Sequence, residues 1–264
     1  MVPLIPIQPW KALVAFGAAF AAGAINSVAG GGTLLTFPTL IWIGLPSINA
    51  NATSTVAIWP GTVGTIWGYR KDMRTLSPRM LALVFPSVLG GILGALLLNR
   101  TPPAVFDALV PFLILFATLL FMIQEPVQRR LKLANPESHK SLKWLAGAMT
   151  FQLFVALYGG YFGAGIGILM LAALSVLGLT DIHQMNGLKA LLGASVNGVA
   201  ALYFILAHMV YWPEFVVMVV GAIIGGYGGT LIARRLGGKT VRRIVILVGL
   251  SMAASLFVKF FRAL

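Results

Sequence analysis

The 264 residues are 59% hydrophobic and only 9% charged, with a mean hydropathy of +0.93; a soluble domain carries about 25% charged residues, so the composition describes a polytopic membrane protein with no length left for a sizeable soluble domain. The net charge of +13 comes from 19 Lys and Arg against 6 Asp and Glu, scattered in short loops as positive cytoplasmic loops are, not gathered into a nucleic-acid surface. No cysteine is present, which excludes disulfides, thiolate metal sites and thiol redox chemistry.

Apolar runs fall at about 11–28, 33–45, 48–68, 80–98, 104–123, 144–159, 163–179, 184–207, 213–233 and 241–258. The first has no Lys or Arg before Lys11, unlike a secretory leader, and reads as an uncleaved span despite the small residues Ala22-Gly23-Ala24. It ends in Asn26, Ser27 and then Gly30, Gly31 and Gly32. Each glycine costs a helix interior about 1 kcal/mol relative to Ala, and unwound backbone at membrane depth must be buried in protein or line a cavity. The stretch therefore predicts a broken helix, followed by a short segment from Thr33 to Leu45 that is half a crossing or a re-entrant piece. A second interruption, Gly159-Gly160-Tyr161-Phe162-Gly163-Ala164-Gly165-Ile166-Gly167, echoes it. Paired glycine-interrupted segments in two halves point to a transporter's binding site.

The halves repeat at an offset of about 134 to 135 residues: Gly44-Leu45 with Gly178-Leu179, the Leu89–Gly94 glycine cluster with Ile224–Gly229, and Arg100 with Arg235. Three loops, around Arg70–Arg79, Arg129–Lys143 and Arg234–Arg243, hold 14 of the 19 basic residues. Five segments per half put all three on one side, as basic loops require; eight unbroken spans do not. The expected fold is all-α and polytopic, with two inverted-topology repeats of about five segments each and glycine-broken helices. Residues 11–123 form the first repeat, 124–143 a cytoplasmic linker and 144–260 the second repeat, with both termini periplasmic or external.

The third segment of each half is polar where lipid-facing residues should be apolar. Asn51, Thr55 and Thr62 stand among Asn49, Thr53 and Ser54; Asn186, Lys189 and Asn197 stand with Ser195. Asn51/Thr62 and Asn186/Asn197 each span eleven residues, about three helical turns plus ~20°, so each pair shares a face. Hydrogen bonding between helices explains such residues equally well. Lys189, inside a span, is costly in hydrocarbon and marks a functional site, unless it snorkels to the interface. The glycine breaks at Gly30–Gly32 and around Gly163 and Gly165 offer main-chain N–H groups at helix starts, where anions bind. For Gly90, Gly94, Gly225 and Gly229 close helix packing is the preferred reading.

Other motifs fail. Gly238-Lys239-Thr240 lacks the first glycine of a phosphate loop, with Ala233 in its place, and Gly163-Ala164-Gly165 sits in an apolar setting foreign to a dinucleotide fingerprint. His139, His183 and His208 are dispersed, so no metal or cofactor is expected, and no nucleophile–base pair or carboxylate pair supports an enzyme. Asp72, Asp107, Glu125, Glu137, Asp181 and Glu214 all lie in loops or near span ends. Asp181 and His183 are either a proton site at the mouth or a helix cap.

The glycine break, the Asn51-Ala-Thr-Ser-Thr segment, its partner Asn186-Gly-Leu-Lys189 and the two-fold repeat resemble the TauE/SafE (TSUP) family of sulfite and organosulfonate permeases, over about residues 11–258. The resemblance implies a multi-pass permease of the cell membrane for small sulfur-containing anions such as sulfite, thiosulfate or sulfonates. Its partners would be a small anionic substrate and the lipid bilayer, with no nucleic acid; a homo-oligomer is compatible with it. The preferred reading is a secondary transporter whose site is drawn from Asn26, Ser27, Gly30–Gly32, Asn51, Thr55, Thr62, Gly163, Gly165, Asn186, Lys189 and Asn197. An anion channel with the same lining is the alternative, and a membrane enzyme a more distant one.

Overall fold

The computed structural model describes residues 7–28, 31–74, 76–131, 142–176, 182–236 and 238–262. Among them it contains twelve α-helices and no strand. The first half comprises α1 (Pro9–Val28), the short α2 (Thr33–Trp42), α3 (Ser47–Gly68), two single turns α4 (Arg70–Met73) and α5 (Pro78–Leu81), α6 (Val84–Arg100) and α7 (Pro103–Leu131). The second comprises α8 (Leu142–Tyr161), the short α9 (Ile166–Val176), α10 (Ile182–Leu206), α11 (Trp212–Leu236) and α12 (Gly238–Arg262).

Both glycine stretches interrupt a helix, one between Val28 and Thr33 and the other between Tyr161 and Ile166. Gly31 (φ +93°), Gly163 (+81°) and Gly165 (+79°) adopt the left-handed backbone that side-chain-bearing residues avoid. Each short helix is therefore a separate rod, about 15 Å long at 1.5 Å per residue and too short to span a bilayer. Where the sequence suggests a loop from Arg70 to Arg79, α4 and α5 supply helical turns. The helix α7 runs through Pro126 to Leu131, into the segment expected to be linker; residues 132–141 of that segment lie outside the described ones.

Three helical stretches, Pro78–Arg100, Pro103–Ile123 and Gln184–Leu206, are long and apolar enough to cross a membrane, and shorter apolar stretches occupy α2, α8, α11 and α12. Large apolar side chains stand exposed along the long helices, among them Phe85, Phe112, Phe154, Leu206, Val216 and Leu247. Apolar surface on this scale is unfavourable in water and suits lipid.

The two halves exchange helices. The helix α1 packs along α11, α6 along α8, α3 crosses α10, and α7 lies beside α12. Lipid tails supply no hydrophobic force between helices, so close backbone approach does the holding. Glycines make it possible. A methyl group on Gly90 would lie 2.6 Å from the carbonyl of Leu153, and one on Gly160 would collide with the carbonyl of Gly91. On the other pair, Gly221 faces the carbonyl of Phe16 at 2.7 Å, and Gly225 meets that of Phe20. The packing expected for Gly90, Gly94 and Gly225 is present; Gly229 falls outside the described side chains. The interior is filled by Leu34, Phe37, Leu40, Ile114, Phe121, Phe162 and Phe204, all nearly inaccessible.

Candidate functional site

The two breaks converge on one face of α7. Gly31 lies against the Phe121 ring, so close that a Cβ would come within 2.8 Å of it, and Gly165 lies against Ala117 and Leu120. Positions 117, 120 and 121 share one helical face, midway along Pro103–Leu131. Phe37 of α2 meets Phe162 edge to face, with ring centroids 5.2 Å apart. Two interrupted helices thus meet against one face of α7, as the discontinuous helices of a transport site do.

The breaks differ in what fills them. In the first, the Asn26 carboxamide reaches over the gap and its Oδ1 accepts the Gly32 N–H at 2.8 Å. Asn26 thereby caps α2 and occupies the donor that an anion would use. A side chain at Gly32 would clash with that carboxamide and with the Ala22 carbonyl. Ser27's side chain and Gly30 lie outside the described residues.

In the second break no side chain among the described residues accepts a main-chain N–H. The N–H groups of Ile166 and Gly167, which open α9, find no acceptor among the described residues. Instead α10 brings its side chains over the gap. The Lys189 stem crosses Gly167, where a Cβ would be 3.4 Å from Lys189 Cδ, and the Asn197 carboxamide stands over Gly163, where the distance to Oδ1 would be 3.7 Å. Gly187 faces α4, meeting Met73. Two residues further along, at about 200° around the helix, Lys189 turns to α9 instead. Lys189 is partly exposed and has no hydrogen bond or ion pair among the described residues. Asn186 and Asn197 are likewise partly exposed and make no hydrogen bond to described residues.

The first-half counterparts behave differently. Asn51 is buried and its Nδ2 donates to the Tyr161 carbonyl at 3.0 Å. Ser54 and Thr36 share a 2.6 Å bond, Thr53 Oγ1 accepts the Tyr211 N–H at 3.0 Å, and Asn49 donates to the Met209 carbonyl at 2.8 Å. Thr55 is buried on the same stretch. The Thr62 hydroxyl turns back to the Trp59 carbonyl of its own helix at 2.6 Å. Much of α3's polarity is spent on helix–helix hydrogen bonds, while α10's is left open.

Trp59 was not singled out by sequence reasoning. Its Nε1 donates to the Ala194 carbonyl at 3.1 Å, and its indole covers Gly198, beside Asn197. The small residue at 198, next to a candidate site asparagine, is the one signal that points to it. Among the described residues no cluster of three or more His, Cys, Asp or Glu is present.

A bundle of apolar helices with two interrupted ones meeting against one helix suits a membrane transporter. The sequence profile of the sulfite exporter TauE/SafE family matches residues 15–256, and the chain belongs to that family. It is 30% identical to the probable membrane transporter protein YfcA of Escherichia coli K12 over 254 residues, covering 96% of this chain and 92% of that protein. It is 27% identical to a probable membrane transporter protein of Haemophilus influenzae (92% and 93% covered) and 26% identical to the probable membrane transporter protein ORF9 of a Sinorhizobium species (91% and 90%). No solved structure matches the chain significantly.

Proposed function

We propose that the protein is a secondary transporter of small sulfur-containing anions such as sulfite, thiosulfate or organosulfonates in the cytoplasmic membrane. The observation that carries this reading is the uncapped first turn of α9 with the Lys189 stem laid across Gly167. Main-chain N–H groups at a helix start and a nearby ammonium both favour an oxyanion. Asn186, three residues before Lys189 on α10, supplies a directional hydrogen bond, while Asn197, about 12 Å beyond Lys189 along the helix, lines the break at Gly163. In the first break Asn26 takes the Gly32 N–H, while the Thr33 N–H has no acceptor among the described residues, so the second break offers more open amides and the only nearby ammonium among those described.

Transport by alternating access fits the exchanged helix pairs. Pairing α1 with α11 and α6 with α8 is what a two-fold axis between the halves produces, and an odd number of segments per half lays that axis in the membrane plane. The two repeats, 11–123 and 144–260, then rock about the central site, with the 124–143 linker cytoplasmic and the termini external. The anion leaves chemically unchanged.

The test is a binding and counterflow screen of sulfite, thiosulfate, sulfate, taurine and sulfoacetate on purified protein in liposomes. Saturable binding of at least one sulfur oxyanion, with counterflow, is expected. Flux without saturation or counterflow would make the protein a channel, and no binding of any of the five would remove the reading.

A further inference from the structure

The Asn51 carboxamide is 1% exposed, and its Oδ1 is buried with no hydrogen-bond donor. Its orientation is set by the bond from Nδ2 to the Tyr161 carbonyl, because turning the amide over would face oxygen with oxygen. A buried acceptor without a donor calls for an occupant.

Asn51 stands at the carboxyl end of α8, where main-chain carbonyls run out of partners. The N–H groups of Phe162 and Gly163 both bond the Tyr158 carbonyl, at 2.9 and 3.3 Å. The Gly159 carbonyl is thereby passed over, and it faces Gly163, where a Cβ would lie 3.1 Å from it and 3.7 Å from Asn197 Oδ1. The oxygens at this end are neutral: two carboxamides, from α3 and α10, and the free end of α8. They sit at the negative pole of the α8 dipole. The helices α3, α8, α9 and α10 contain no Asp or Glu.

We infer that the carboxyl end of α8, with Asn51 Oδ1, the Gly159 carbonyl and the Asn197 carboxamide, binds a monovalent alkali cation. Amide oxygens take up no proton near neutral pH, so a charged occupant held by these oxygens is a metal ion. One carboxylate stands nearby, Asp107 of α7, which accepts from Ser47 one turn before Asn51 on α3; a single negative charge suits a monovalent ion. Unwound carbonyls and the carboxyl ends of half-helices serve alkali cations in this way, while the amino ends of half-helices serve anions. The gap from Phe162 to Gly165 has one end of each kind, α8 behind it and α9 ahead. Lys189 and Asn197 are about 12 Å apart along α10, which keeps the ammonium clear of the cation.

If the anion site proposed above holds, an anion at α9 lies between two positive charges, and cation and anion raise each other's affinity by the same factor. That coupling rests on the proposed function; the cation site does not.

Radiolabelled sodium binding to the purified protein, with gluconate as the only anion and choline as the inert cation, tests the site directly. Saturable binding is expected, displaced by unlabelled Na+ and by whichever of Li+ and K+ fits. Asn197→Ala should weaken it about tenfold or more, and since Asn197 bonds no described residue the variant should fold. Asn51→Ala should weaken it as well, and its monodispersity in detergent is checked in parallel. If neither Na+, Li+ nor K+ binds the folded protein, a water satisfies Asn51 and the inference is overturned; the same follows if binding survives in folded Asn197→Ala and Asn51→Ala. Sulfite binding measured separately in choline tells failure of the anion site from failure of the cation site.

Discussion

Asn51 of α3 donates a 3.0 Å hydrogen bond to the main-chain carbonyl of Tyr161, the last residue of α8. The bond ties a helix of the first half to the break in the second, inside protein where water cannot replace it. Removing the donor leaves a buried carbonyl unpaired, at a cost of about 1–3 kcal/mol. Asn51→Leu should lower the temperature at which the purified protein loses monodispersity, while Thr62→Val, which removes only a bond within one helix turn, should lower it less. Equal losses would mean that the tie to Tyr161 contributes nothing beyond helix-local bonding.

The two glycine classes in α8 make a second prediction. Gly160 touches the Gly91 backbone, whereas Gly147 has nothing within 4 Å of where a Cβ would stand. Gly160→Ala forces α6 and α8 apart and should cost about 1–3 kcal/mol or more, read as loss of folded protein after extraction. Gly147→Ala should be neutral or stabilising, by up to about 1 kcal/mol of helix propensity. Tolerance of Ala at 160 would contradict the close approach of these helices.

The segments and both breaks were legible in the sequence because clustered glycines weaken a helix interior and permit the left-handed backbone that Gly31, Gly163 and Gly165 adopt. The pairing of helices was not legible. Gly90 and Gly225 announce a close neighbour but carry nothing that names α8 or α1 as that neighbour. Nor does composition separate Asn51, fixed to Tyr161, from Asn186, which has no described partner, because the same side chain serves either purpose. Asn26 carries a contact that the sequence does not announce: its Oδ1 accepts the Gly32 N–H, and composition alone does not tell such an internal bond from a ligand contact.

That closure is itself testable. Asn26→Ala removes the acceptor from the Gly32 N–H, and loss of a helix cap costs about 0.5–2 kcal/mol. The stability of the folded protein should fall, and sulfite affinity should stay within a few-fold of the parent because the donors proposed to hold the anion are at α9. A loss of affinity as large as that of a Lys189 variant would move the anion to the first break.

The charge distribution predicts the orientation. With no native cysteine, Val2→Cys and Asn135→Cys report their own locations without background. The two should be labelled by an impermeant maleimide from opposite sides of the membrane, position 2 from outside and position 135 only after the cytoplasmic face is opened. Labelling of both from one side would end the arrangement of five segments per half.

Lys189 separates a binding cation from a snorkelling one. Its stem crosses Gly167 at the start of α9, away from the α4 contact made by Gly187. Lys189→Ala should therefore weaken sulfite binding with little loss of folded protein. A charge-assisted contact is worth about 1.5–3 kcal/mol, roughly tenfold or more in affinity. Lys189→Arg should restore it incompletely, because a planar fork does not replace a compact ammonium above a glycine. Since Lys189 is a basic residue near a helix start, its removal can also shift insertion, so orientation must be read by the cysteine assay in the same variant. Unchanged sulfite affinity in a correctly oriented Lys189→Ala protein would place the head group in water and leave the open amides of Ile166 and Gly167 as the remaining anion-holding groups.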